Sequence, residues 1–379
     1  MFWRRLLPLG LTFLLLFAAL TFGLGAPAED VHAQARRTPT PNARQSAAVE
    51  DLFDDFIDDT TPGAAVLVSK DGQLVYRGGF GLADLEDGTP ITPDLSFHLG
   101  SVGKQFTALA IMILAERGEL NFDDPVGNYL PELPWGQRVT IRQLLNHTSG
   151  VPDYDTSTSL YDALFARSDT PNNDDLLAAL STRQRLTTAA GQTFAYSNTG
   201  YDLLGILIER ISGQSYADFM QETIFEPLGM TRSFSAPNRP RNAGQWVVHS
   251  YTVDDDDELV AYDEDALDGL TGSGSIYASV DDLLRYDRAL FGGQLVSAET
   301  FAEALKPARL NNGRRSYYGF GWDLDKDGAY ISHSGAWLAF QSCYVHYLEE
   351  NASVIVLFNQ DYEDADVCEI AFEIAALYE

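Results

Sequence analysis

Apolar and polar positions alternate most cleanly near the front of the chain. Ala64-Ala-Val-Leu-Val-Ser-Lys70 and Gln73-Leu-Val-Tyr-Arg77 flank Asp71-Gly72, the pattern of two strands joined by a tight hairpin turn. At the far end Tyr317–Asp323, Ala329–His333, Phe340–Leu348 and Ser353–Asn359 alternate or run apolar, which predicts four more strands. Val367, Ile370, Ala371, Ile374 and Leu377 then recur at helical spacing and predict a helix within Asp361–Tyr378. The middle of the chain is mainly helical by the same test, most clearly at Phe106–Arg117, Ile141–Asn146, Asp174–Leu180, Tyr201–Ile211, Tyr216–Phe225 and Val280–Leu290. Strands at both ends with helices between them are not a βαβ alternation, so a parallel sheet is disfavoured. The expected class is α/β of the α+β type. An antiparallel sheet is built from both termini (residues about 46–98 and 305–379) and flanked by helices, with a mainly helical region (about 99–304) inserted.

Composition narrows this little, but charge narrows it more. With 379 residues, 45% of them hydrophobic, the chain holds one large or two moderate domains and needs no staples to fold. That excludes a disordered chain, a collagen-like fibre and a disulfide-knotted miniprotein. Against 55 Asp+Glu there are 25 Lys+Arg, a net charge of −30 that phosphate backbones repel, so nucleic acid is excluded as a partner. Only Lys70, Lys104, Lys306 and Lys326 are lysines. An acidic, lysine-poor surface suits a saline medium, where ions screen self-repulsion, and suits lineage bias equally well.

Met1-Phe-Trp-Arg-Arg5 is a cationic head, and Leu6 to Gly25 carries no charge. Small residues follow in Ala26-Pro-Ala28, so residues 1–28 are expected to be a secretory signal or an uncleaved N-terminal anchor. Either way the body lies outside the cytoplasm, as a secreted or periplasmic protein or on the outer face of the cytoplasmic membrane, with that anchor as its one membrane contact. Residues 29–45, rich in Pro, Arg and Thr, are expected to be a tether, and 46–379 the working domain. In an oxidising compartment Cys343 and Cys368 are equally well read as one disulfide or as two buried thiols.

Three short motifs carry candidate chemistry. Ser101-Val-Gly-Lys104 opens a strongly apolar helix, and residues three apart share a helix face, so the Ser hydroxyl and Lys amine can meet. A lysine held in such surroundings can lose its proton, which arginine cannot. In a polar turn before the next helix, Tyr196-Ser-Asn198 offers a phenol for proton transfer and an amide to hold a substrate carbonyl. His333-Ser-Gly335 ends an alternating strand, where the glycine would let a substrate lie against the backbone. Singly, each has a bland reading: an N-cap serine, a polar turn, a structural histidine.

In this order the three motifs resemble the serine β-lactamase and penicillin-binding-protein superfamily, closest to the branch of class C β-lactamases, DD-peptidases, D-aminopeptidases and related esterases. Leu144-Leu-Asn-His-Thr-Ser-Gly150, Gly191–Tyr196, Glu226–Met230, Gly272-Ser-Gly274 and Tyr318–Trp322 look like the same branch, and the likeness covers residues 46–379. The resemblance implies a β-lactamase-like fold with the active site between sheet and helical region. It implies Ser101 as the nucleophile that forms an acyl-enzyme, with Lys104 and Tyr196 sharing the proton work. Asn198 would hold the substrate, and the N–H groups of Ser101 and Ala336 would form an oxyanion hole. Gly335 and His333 would line the pocket, and so would Tyr154. Free phenol and ammonium groups both titrate near about 10, so at least one must be shifted. The best β-lactamases of the branch have Lys where this chain has His333. An unperturbed imidazole is mostly neutral at neutral pH, which moves weight from β-lactam hydrolysis toward esters, amides and D-amino-acid peptides.

An exported serine hydrolase acting on a small-molecule or peptide substrate, without cofactor or metal, is therefore the expected function. A non-catalytic sensing or binding domain would be favoured had Ser101, Lys104 or Tyr196 been lost, and all three are present. An α/β-hydrolase lacks its elbow, since Leu99 stands where the first glycine of Gly-x-Ser-x-Gly belongs. The six histidines show no paired metal-ligand spacing.

Overall fold

The computed structural model describes residues 43–254, 256–362 and 365–378. The expected signal or anchor and most of the tether therefore lie outside the described residues. The tether's last residues do not: helix α1 begins at Ala43 and runs to Asp51. The predicted hairpin forms as strands β1 (Ala64–Lys70) and β2 (Gln73–Phe80). Asp71 and Gly72 both take positive φ, 51° and 64°, as the twist-matched two-residue turn requires.

Central helix α2 (Lys104–Glu116) is followed by α3 (Ile141–Leu145), α4 (Asn173–Ser181), α5 (Asn198–Ser212) and α6 (Val280–Phe291). The chain then returns as β3 (Asp323–Leu324), β4 (Tyr330–Trp337), β5 (Phe340–Tyr347) and β6 (Ala352–Phe358), and closes with α7 (Val367–Ala376). The strands form one antiparallel sheet in the order β3-β4-β5-β6-β1-β2, so β1 from the front pairs with β6 from the back. In that register Leu67 faces Ile355 and Val66 faces Val356. This is the α/β arrangement expected, with an inserted helical region.

Strand periodicity explains why β1 is an unbroken apolar run. Ala65 and Leu67 point into the larger core with α2, while Ala64, Val66 and Val68 point into a second core with Phe53, Val367, Ile370 and Ile374. The sheet is thus covered on both faces. A disulfide between Cys343 of β5 and Cys368 of α7 ties the last helix to the second face. On the first face α6 is anchored by Asp287. Its carboxylate accepts hydrogen bonds from Ser69 Oγ at 2.9 Å, Tyr344 OH at 2.7 Å and the Ser353 hydroxyl. Burial pushes Asp287 above the ordinary carboxylate range, and the three hydroxyls oppose that shift.

One predicted strand is absent. Tyr317–Asp323 folds back on itself instead, with Gly319 N bonding Trp322 O at 2.8 Å and Leu324 N bonding Tyr317 O at 2.9 Å. Gly321 makes the reversal possible at φ 76°. Tyr318, Phe320 and Trp322 are buried by this tight turn rather than by one face of a sheet. Alternation alone does not distinguish the two. The helices Thr158–Phe165 and Ala298–Ala304 were not foreseen either.

Replacing Asp287 with Ala removes the carboxylate from the Ser69 and Tyr344 hydroxyls and leaves Ser353 only His346 Nδ1, and the expected cost is about 3 kcal/mol of stability. Urea unfolding should show a lowered midpoint at unchanged slope. A loss under about 1 kcal/mol would mean that the hydroxyls find other partners.

Candidate active site

Ser101 lies in a 3₁₀ turn (Gly100–Gly103) that runs directly into α2. With three residues per turn, such a helix eclipses positions i and i+3, so Ser101 and Lys104 stack. Lys104 Nζ is 3.0 Å from Ser101 Oγ, 2.6 Å from Asn198 Oδ1 and 2.7 Å from the Ser273 carbonyl oxygen. The Tyr196 ring centroid lies 4.8 Å from the same nitrogen, with the phenol near Ser101. The structure therefore brings Ser101, Lys104, Tyr196 and Asn198 together.

Electrostatics at this point follow from dehydration. Lys104 has no exposed surface, and burial pulls it down to about 7, although Asp202, Asp153 and Asp155 favour its charged form. Burial pushes Asp202 the opposite way, above the carboxylate range. Its two oxygens accept from Ser273 N at 2.9 Å and Tyr154 OH at 3.0 Å, so Asp202 holds the residue whose carbonyl receives Lys104. Tyr196 keeps 40% of its surface exposed. Lost hydration around its phenol raises it above the ordinary tyrosine value, and the nearby Ser101 hydroxyl opposes that shift.

Asn198 differs from expectation in one respect. While Oδ1 takes Lys104, Nδ2 donates to Asp155 Oδ2 at 2.6 Å, so both ends of the amide are engaged within the protein. Asp153 supports the same turn from below, accepting Ser197 Oγ at 2.8 Å and Thr199 N at 3.0 Å.

Strand β4 approaches the 3₁₀ turn closely enough to exclude side chains. A Cβ on Gly335 would sit 2.2 Å from Leu99 O and 2.9 Å from Ser101 N, and one on Gly100 would sit 2.6 Å from Ala336 N. The backbone nitrogens of Ser101 and Ala336 consequently meet at one junction. Two clefts open from it, both lined by Ser101 and Ala336. The first is walled by His98, Tyr154, Asn198, Asp268, Ser273 and Trp337. Tyr196, His333, Asp323 and Gln341 line the second. Among the described residues lining the clefts there is no Lys or Arg.

His333 is in the second cleft, but not as an ordinarily titrating group. Its Nδ1 faces the Ser334 carbonyl at 2.6 Å, which only accepts, so Nδ1 carries the proton and Nε2 accepts from Tyr318 OH at 2.8 Å. The carbonyl fixes a proton on Nδ1, and it is burial that keeps the ring neutral and leaves Nε2 as an acceptor. Burial, with Lys104 nearby, lowers its pKa to about 3, correcting the expectation of an imidazole titrating near its usual value. By contrast, burial raises Asp323 in the same cleft to about 6.

Sequence reasoning missed Asp155, Asp202, Ser273 and Tyr318 as members of this network. Asp202 stands four residues after Asn198 on α5 and so shares its face, the one signal available beforehand. Ser273 and Tyr318 lay in motifs noted only as flanks.

Known proteins resemble this chain over most of its length. The family model described as Beta-lactamase matches residues 49–379. The chain is 36% identical over 339 residues to penicillin-binding protein 4* of Bacillus subtilis, covering 84% of this chain and 72% of that one. It is 31% identical over 271 residues to the putative penicillin-binding protein PbpX of the same organism, covering 72% of this chain and 64% of the relative. Among solved structures, an octameric penicillin-binding protein homologue from Pyrococcus abyssi superposes with TM-score 0.74 at 28% identity, over 88% of this chain and 76% of that one. A D-amino acid amidase from Ochrobactrum anthropi SV3 shares the fold with TM-score 0.73 at 23% identity, over 89% and 99%. With the serine–lysine pair at the head of α2 and a match spanning nearly the whole described body, the chain belongs to the β-lactamase family, in the class-C-like branch of the serine β-lactamase and penicillin-binding-protein superfamily, and is a serine hydrolase.

Proposed function

We propose that this hydrolase takes esters or amides whose leaving group bears no carboxylate, through an acyl-enzyme on Ser101. The observation that carries the reading is the set of partners around Lys104. Asn198 Oδ1 and Ser273 O can only accept, so a neutral amine spends its two N–H groups on them and turns its lone pair to Ser101 Oγ. Lys104 then takes the Ser101 proton as Oγ attacks the carbonyl carbon. The N–H groups of Ser101 and Ala336 receive the oxyanion. Tyr196, within reach of Ser101, gives its phenol proton to the leaving group and is reprotonated by the Lys104 ammonium, which returns Lys104 to its neutral form; the leaving group departs into the second cleft. Water deacylates the enzyme by the same steps in reverse order. Neutral His333, the nearby Asp323 carboxylate and the lack of a cationic wall support a leaving group without negative charge. An exported location accords with the N-terminal pattern and with the Cys343–Cys368 disulfide.

Ser101→Ala should gain no acyl mass from a p-nitrophenyl ester by intact-mass measurement and should lose turnover by at least about 10³-fold. Near-native turnover in that variant would sink the mechanism.

Because burial lowers Lys104 to about 7 and its neutral form is the base, kcat/KM for a neutral ester should rise with pH through about 7 and then level. Lys104→Arg, which cannot deprotonate, should remove the activity over the whole range. A rise near 7 that survives in Lys104→Arg would place the base elsewhere, since burial raises Asp202 to about 7 as well.

Asp323, at about 6, should set the one pH-dependent selectivity of the second cleft. As pH falls through 6 its charge is lost, and the kcat/KM ratio of a carboxylate-bearing substrate to a neutral ester should rise in wild type and in His333→Gln, but stay flat in Asp323→Asn. The reverse pattern in the two variants would assign the effect to His333.

A further inference from the structure

Directly after α3, His147 adopts a left-handed backbone, φ 57°, which a residue other than glycine takes up only where its surroundings impose it. That turn lays residues 147–150 along the segment leading to α5. Ala195 N donates to His147 O at 2.9 Å, Gly191 N to Thr148 O at 2.8 Å and Thr187 N to Gly150 O at 2.8 Å. The side chain adds a second grip, because the Ser197 amide donates to His147 Nδ1 at 3.1 Å. The two contacts of this one residue straddle Tyr196. Its ring also packs against Tyr196, with centroids 4.2 Å apart, and against Tyr318 at 4.5 Å.

For Nδ1 to accept, the imidazole must be neutral with its proton on Nε2. Nε2 is buried and has no hydrogen-bond partner among the described residues. Burial holds the ring well below the usual histidine range, with the charge of Lys104 acting in the same direction. A left-handed backbone and an unpaired buried N–H are both costs, and an apolar residue filling this aromatic nest would avoid the second. What an apolar side chain lacks is the acceptor for Ser197.

We propose that His147 is a positioning residue. By holding the amides on both sides of Tyr196, it keeps the phenol beside Lys104 and Ser101 and sets the entry of the chain into α5 at Asn198. This rests on the proton-transfer role proposed for Tyr196.

The test compares wild type, His147→Ala and His147→Asn, each at a temperature where circular dichroism shows it folded. It measures kcat and KM for a p-nitrophenyl ester and the rate at which a fluorophosphonate labels Ser101. Asparagine tolerates the left-handed backbone, and its Oδ1 can take the Ser197 N–H; alanine offers no acceptor. Alanine should lower kcat and the labelling rate by about 10- to 100-fold with KM changed less than about threefold, and asparagine should recover most of the loss. Wild-type kcat in the alanine variant, or asparagine no better than alanine, overturns the positioning role. A wild type that neither hydrolyses the ester nor labels overturns the hydrolase mechanism itself, and the positioning role with it.

Discussion

A lysine amine with no contact to solvent is the constraint on which the rest of this site depends. An isolated ammonium cannot be buried in a protein interior without either a compensating anion or loss of its proton, and Lys104 is held at the balance between the two. Asp202, Asp153 and Asp155 pull it toward the charged state, and dehydration pulls it toward the neutral one. Its contacts leave no freedom of direction. Two carbonyl-type oxygens from α5 and from the Gly272–Gly274 segment consume its hydrogens, and the serine one turn back faces what remains. An arginine there would keep its charge and could not reach this balance.

That environment needs a rigid frame, and the two-faced sheet supplies it. Strand β1 is buried on both faces and paired on both edges, so β6, β5 and β4 inherit a fixed register across the sheet. Register matters because Gly335 and Ala336 must meet the 3₁₀ turn where no side chain fits. Asp287 locks α6 to one face of the sheet, and the Cys343–Cys368 bond locks α7 to the other. The helix that Lys104 opens is therefore seated against a sheet that cannot slip by one residue without inverting both cores.

The acidity of the chain reaches into its clefts. Asp268 lies in the first cleft and Asp323 in the second, with no Lys or Arg among the described residues lining either. A fold shared with proteins named for binding penicillin thus presents here clefts whose charged lining side chains are acidic, and His333, kept neutral by burial, adds no positive charge to them. Fold and reaction class come with the family, whereas the charge of a cleft is set by its own side chains.

Local patterns were legible in the sequence. The Asp71-Gly72 turn, the apolar strands at both ends, the helix after Ser101 and the three-residue spacing of Ser101 and Lys104 are consequences of backbone sterics, which act over a few residues and leave a periodic trace. The same trace misled at Tyr317–Asp323, where a glycine at positive φ turned an alternating run into a tight loop. Residues far apart could not be matched in this way. Lys104 meets Ser273 across 169 positions and Ser197 meets His147 across 50, and nothing in either segment names the other. Nor could the protonation of His333, the pairing of Asp155 with Asn198 or the linking of the two cysteines be read from residue type. Each depends on how much water folding removes and which group it leaves adjacent, and only the tertiary structure decides that.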